Sequence, residues 1–116
     1  MIENDTEYLT EQATLTNLQE GFGFIYIIHS NDHKPAHIHL YLKPSDVPVE
    51  NVYTRLLIPP TCPSTVEDID VVRGDRELNA KEKKVVLAWF NALQNKALSV
   101  TNYVMAVGIW DVFQKH

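Results

Sequence analysis

Residues 36–42 read Ala-His-Ile-His-Leu-Tyr-Leu, and this alternation constrains the fold more than any other feature of the chain. Successive side chains of a strand project to opposite faces. Ile38, Leu40 and Leu42 therefore fall on one face, and His37, His39 and Tyr41 on the other. Residues 22–29 are aromatic and β-branched, with Gly21 and Gly23 at their start, and also read as a strand. Apolar residues occupy both parities there, which marks the strand as central. Between the two runs lies Ser30-Asn31-Asp32-His33-Lys34, where Asn and Asp supply turn chemistry by bonding their own backbone. Pro35 fits the first position of the second strand. The two strands form a hairpin.

Downstream, residues 43–48 make a loop containing two prolines, and residues 51–58 a third strand. Pro59, Pro60 and Pro63 force an irregular turn because proline has no N–H to give a ladder. Residues 69–72 read as a short fourth strand ended by the Gly74-Asp75 turn. Asn79, with Glu82 three residues on, forms a capping box that opens a helix. The spacing of Val86, Trp89, Phe90, Leu93 and Ala97 carries that helix to about Leu98, with Lys81, Lys83, Lys84 and Lys96 in solvent. Residues 103–113 are apolar and read as a second helix or a last strand. Residues 10–18 read as a short helix or an edge strand. The fold class is therefore α+β: a small antiparallel sheet of about four strands packed by one long amphipathic helix.

A chain of 116 residues fits one domain. Its net charge of −5 is unevenly placed. Glu3, Asp5, Glu7, Glu11 and Glu20 have no Lys or Arg among them, while residues 21–116 hold ten acids and ten bases. The reading is an acidic arm, residues 1–20, ahead of a neutral body, residues 21–116. A neutral body offers little attraction to a phosphate backbone, so nucleic-acid binding is not the default. One cysteine, Cys62, excludes an internal disulfide framework and a four-cysteine zinc site. The start of the chain lacks a secretory pattern, and the longest apolar run, residues 24–28, is too short to span a bilayer. A soluble, cytoplasmic protein is the expectation.

Four of the five histidines, His29, His33, His37 and His39, fall within eleven residues. On a strand, imidazoles at i and i+2 share a face, roughly 6–7 Å apart. Neutral imidazole ligates zinc, nickel, copper and iron. A catalytic zinc takes three protein ligands and leaves a position open. His37 and His39 supply two, and His33, Asp32 or His29 the third. The same face suits other chemistry. Imidazoles beside Lys34 can bind phosphate, one histidine can act as a general base, and Tyr41 can hydrogen-bond a ligand. The residues alone do not choose between catalysis, binding and a purely structural turn.

Asp32-His33, Pro35 and His37-Ile38-His39 together resemble the signature of the small bacterial family catalogued as domain of unknown function 4160. The likeness covers roughly residues 22–98, taking in the preceding strand and the helix with Trp89. Ala36 stands where the family has a second proline, and the proline-rich stretch and the acidic arm are extra. The resemblance implies His33, His37 and His39 as functional residues. It also implies a small protein partner from a neighbouring gene, in a toxin–antitoxin or mobile-element setting. The expected function is a partner-binding or regulatory module whose histidine site takes a divalent metal such as zinc or nickel, or a phosphate.

A competing enzyme reading comes from the nucleases in which two histidines on a strand hold a metal and a tyrosine attacks DNA. His37-Ile38-His39 resembles the metal pair, and Tyr103 would be the nucleophile. Tyr103 also sits among Val100, Val104 and Met105, a setting that suits core packing. Cys62 reads as a loop thiol, and Arg73, Asp75 and Arg76 as a solvated turn. Trp110 and Phe113 read as core, with a homodimer patch as the alternative.

Overall fold

The computed structural model describes residues 12–14, 24–30, 32–42, 52–95, 97 and 99–115 of the chain. A four-stranded antiparallel sheet runs β1 (Gln12–Thr14), β2 (Phe24–His29), β3 (His37–Leu42), β4 (Thr54–Leu57), in sequence order. A 3₁₀ turn (Val66–Asp68) leads to α1 (Ala80–Asn91). A small hairpin, β5 (Leu93–Asn95) and β6 (Val100–Thr101), connects to α2 (Asn102–Gln114). The α+β class expected from the sequence is the one observed. No helix among the described residues is long and apolar enough to cross a membrane.

The register follows from the alternation. Ile27 pairs with His39, and His39 in turn with Arg55; Ile38 pairs with Leu56. One face of the sheet therefore presents Phe24, Tyr26, Ile28, Ile38, Leu40 and Leu56. These pack against Val86, Trp89 and Phe90 of α1 and Ala106, Trp110 and Phe113 of α2. Tyr26 and Trp89 stack at 3.7 Å with their planes 1° apart. Each large apolar side chain buried there contributes about 1.5–3 kcal/mol. The opposite face carries Ile25, Ile27 and His29 from β2, His37, His39 and Tyr41 from β3, and Arg55 and Leu57 from β4.

Several expectations need correction. The fourth strand of the sheet is β1, at the edge. The segment expected as the fourth strand, residues 69–72, makes one bridge, Leu56 with Val71, flanked by the Leu57 N–H to Asp70 and Val72 N–H to Arg55 carbonyl bonds. The turn after it is closed by Gly74 at φ 92°, a value that favours glycine. Leu42, at the end of β3, is 53% exposed and outside the core, whereas Tyr41 beside it is buried.

The helix that opens at Asn79 is shorter than its apolar spacing implies. Its start is as expected: Asn79 Oδ1 accepts from the Glu82 N–H at 2.8 Å, and Glu82 Oε1 from the Asn79 N–H at 2.9 Å. It stops at Asn91, with Ala92 extended. The cause lies in the first residue of α2. Asn102 is fully buried; its side-chain amide donates to the Trp89 carbonyl at 2.8 Å and its N–H to the Ala92 carbonyl at 2.9 Å. Carbonyls at a helix end need such partners. Leu93 consequently leaves the helix for β5 and is 41% exposed. Residues 102–114 are a helix capped by Thr101, whose Oγ1 accepts from the Val104 N–H. The single long helix becomes two of similar length, with Trp110 and Phe113 in the core.

Of the acidic arm, Gln12–Thr14 forms the edge strand. Glu3, Asp5, Glu7, Glu11 and Glu20, the residue 43–48 loop, Lys96 and Leu98 lie outside the described residues.

Candidate metal centre

The hairpin turn brings a carboxylate back over the histidine face. Asp32 Oδ2 accepts the His29 N–H at 3.1 Å, and the Asp32 N–H bonds the His29 carbonyl at 3.3 Å. The C-terminal helix clamps the same residue, with Gln114 Nε2 donating to the Asp32 carbonyl at 3.0 Å. The Lys34–Pro35 peptide is cis. His37 Nδ1 lies 2.7 Å from the Pro35 carbonyl. A protonated Nδ1 donates that bond and leaves the Nε2 lone pair free, a familiar way of orienting a histidine ligand. The His37 ring also packs 5.4 Å from the Trp110 ring.

The result is a trio. Asp32 Oδ1 stands 3.6 Å from His37 Nε2, and Asp32 Oδ2 3.6 Å from His39 Nδ1. One potential ligand atom from each residue lies within 4.8 Å of the others. Two ligands about 2.0–2.2 Å from one ion stand about 3.0–3.6 Å apart at octahedral to tetrahedral angles. The contact of each imidazole with its own carboxylate oxygen, Oδ1 for His37 and Oδ2 for His39, already has that length. This His/Asp group can hold a metal ion.

Electrostatics favour that state at His39 and Asp32 and oppose it at His37. Burial pushes His39 down to about 4, outweighing the pull of the nearby Asp32 charge, so its imidazole is neutral at neutral pH. Burial also opposes a charge on His37, but its contact with Asp32 and its bond to Pro35 outweigh that and raise it. Burial would raise Asp32; His37, the His29 N–H and the nearby imidazoles reverse this and hold it below the usual carboxylate value. An ionised carboxylate and imidazole lone pairs form a metal-ligating set. His39 Nδ1 is buried and has no hydrogen-bond partner among the described residues. Such an orphan asks for an explanation.

The trio lines a cavity of about 330 Å³, whose wall also includes Lys34, His33 and Arg55. Arg55 projects from β4 directly opposite His39. It is held by a two-pronged pair, Nε to Asp75 Oδ2 at 2.7 Å and Nη2 to Asp75 Oδ1 at 2.9 Å.

Of the residues singled out in the sequence, Asp32, His37 and His39 are thus brought together. The His37 and His39 ring centres are 5.1 Å apart. His33, named with them as a third ligand, is exposed and stands outside the trio; its chain neighbour Asp32 takes that place, because the His29 and Gln114 bonds turn Asp32 inward. Lys34 is exposed at the cavity. Tyr41 is buried on the same face, its ring 6.5 Å from His39. His29 packs edge-on to His39 at 4.6 Å. The histidine face is also drier than a hairpin's outer side implies: His37 is only 4% exposed.

Tyr103 is elsewhere. Its phenol donates to the Pro59 carbonyl at 2.7 Å, its ring packs edge-on to Phe90, and it lines a separate cavity with Ala36, Ile58 and Pro60. Cys62 is exposed, with its thiol against Asn91 Oδ1 at 3.3 Å.

Sequence reasoning missed three residues of the site. Arg55 was legible only through the β3–β4 register, which the residue 43–48 loop hides. Trp110 and Gln114 come from a helix some 75 residues downstream of the turn and carry no local signal. No family model, no curated protein and no solved structure matches the chain.

Proposed function

We propose that this chain is a divalent-metal-binding domain in which Asp32, His37 and His39 ligate one ion and leave its other positions open to the cavity. The observation that carries this reading is the buried Nδ1 of His39, which has no hydrogen-bond partner among the described residues, is held neutral and faces an ionised carboxylate at 3.6 Å. Two imidazoles and one carboxylate are a ligand set shared by zinc, nickel and ferrous iron, with zinc and nickel favoured by affinity over iron. Trp89 Nε1 is also buried without a partner among the described residues. An indole N–H has no lone pair to offer an ion, whereas the His39 ring nitrogen does, and it stands beside two further ligand groups.

Isothermal titration with zinc and with nickel, on the wild type and on His37→Ala/His39→Ala, is the test. One ion bound by the wild type and none by the variant supports the reading; equal, negligible uptake by both removes it.

The metal would act within the partner-binding or regulatory module that the family resemblance implies. A feature of α2 supports a protein partner: Val104 and Val112 are more than half exposed beside an apolar groove. Co-expression with the neighbouring small gene product should give a complex that Val104→Asp weakens; no complex with the wild type overturns the partner reading. The tyrosine-nuclease alternative is not favoured, because the Tyr103 phenol is engaged with Pro59 and lines another cavity.

A further inference from the structure

The sequence offers metal and phosphate as alternatives for the histidine face; the geometry points to both at once. We propose that the metal-loaded site binds a phosphoryl group, with the ion taking one oxygen and Lys34 and Arg55 the others. This rests on the metal reading above and adds the class of its ligand.

Charge favours this arrangement. Without an ion the cavity is lined by Asp32, Lys34 and Arg55, the last paired with Asp75 behind it, and with His37 neutral these charges cancel. An anion entering it meets the Asp32 carboxylate. A divalent ion on Asp32 reverses that charge, and Lys34 adds a second cation. A bound cation is often the largest charge in its site and sets what the site attracts.

The site also has donors to spare. Lys34 is exposed and makes no ion pair among the described residues. Arg55 spends its Nε and one Nη2 hydrogen on Asp75, leaving three of five guanidinium N–H groups. Asp75 Oδ2 also accepts the Arg55 backbone N–H at 3.1 Å, which holds the pair in place. Arginine and lysine together suit a group with several acceptor oxygens.

The site has the space as well. Three protein ligands leave at least one position open on the ion. The cavity of about 330 Å³ falls at the low end of small-ligand pockets, about 300–1,000 Å³. It has room for a phosphoryl group and a small attached moiety.

Cobalt(II) reports both steps, since its visible bands change with coordination. Wild-type protein is loaded with one equivalent of cobalt and titrated with inorganic phosphate and, separately, with a nucleoside monophosphate. The expected result is a cobalt spectrum distinct from the aqua ion, a saturable change with at least one probe, and binding to the metal-free protein weaker by about tenfold or more. The tighter probe tells whether free phosphate or a phosphate ester is the better fit. Lys34→Ala should weaken the probe by about tenfold, the loss of one charge-assisted hydrogen bond. Arg55→Lys, which keeps the charge and loses the fork, should weaken it as well, while Lys81→Ala on α1 should not. A protein-bound cobalt spectrum that neither probe alters overturns this inference and leaves the metal reading standing. Equal probe binding with and without cobalt also overturns it. Absence of any protein-bound cobalt spectrum overturns both.

Discussion

The two faces of the sheet are built by the same alternation and end in different chemistry. On the helix-covered face, Tyr26, Ile38, Leu40 and Leu56 meet Trp89 and Phe90, and burial of apolar surface accounts for the packing. On the other face, His37 and His39 are also withdrawn from water, but they are polar, and burial costs stability unless a partner is supplied. Asp32 supplies it only in part, at 3.6 Å from both rings, longer than a good hydrogen bond. One face is stabilised by what it excludes and the other is prepared for what it can admit.

That contrast can be broken from either side. The largest effect belongs to the core face: Trp89→Ala removes the stack on Tyr26 and should cost about 3–5 kcal/mol in urea unfolding. The fraction that stays folded should still take one zinc. The next effect belongs to the histidine face. Zinc at about 100 times its dissociation constant should stabilise the wild type by about 2.7 kcal/mol. His37→Ala/His39→Ala should lose that gain while keeping its far-ultraviolet circular dichroism. If the variant gained as much from zinc, the two faces would not be separable in this way.

Smaller is the loss expected for Asn102→Ala, about 0.5–1.5 kcal/mol, because the Trp89 carbonyl loses one of its two donors and keeps the Ala92 N–H. Acid should weaken the metal site by about tenfold for each pH unit below the His37 pKa, which lies above 6.5, as a proton competes for Nε2. A flat affinity between about pH 7 and 5 would remove His37 from the ligands.

A separate effect is on the metal-free fold. His39 is held down to about 4 against 6.5 in the unfolded chain, so the unfolded state binds more protons between those values and stability is lost as pH falls from 6.5 to 4. His37 has the opposite sign: its raised pKa adds stability that is full below 6.5 and is lost as pH rises through the folded value. Asp32, held low, adds stability that is lost only as pH falls through its folded value. His39→Gln should therefore flatten the loss between about pH 6.5 and 4, read by urea unfolding at the two ends.

Local chemistry made part of this visible in the sequence. The period-2 string placed His37 and His39 on one face, and the Asn79–Glu82 box marked a helix start to the residue, because both depend on neighbours in the chain. What was hidden depends on distant partners. The end of α1 is set by Asn102, across the β5–β6 hairpin. The choice of Asp32 over His33 is set by bonds to His29 and Gln114, and no turn composition distinguishes two adjacent residues that way. Arg55 enters the site through strand register, across a loop whose length says nothing of pairing. Leu42 belongs to the apolar parity of β3 yet is exposed, since alternation assigns a face and not how far the helices extend over it.

X-ray absorption on the protein loaded with one equivalent of zinc tests the central claim most directly. The account predicts two imidazole nitrogens at about 2.0–2.1 Å with a carboxylate oxygen at about 2.0–2.2 Å, and loss of one imidazole in His39→Ala. A shell of oxygen alone, or an unchanged spectrum in His39→Ala, would contradict it.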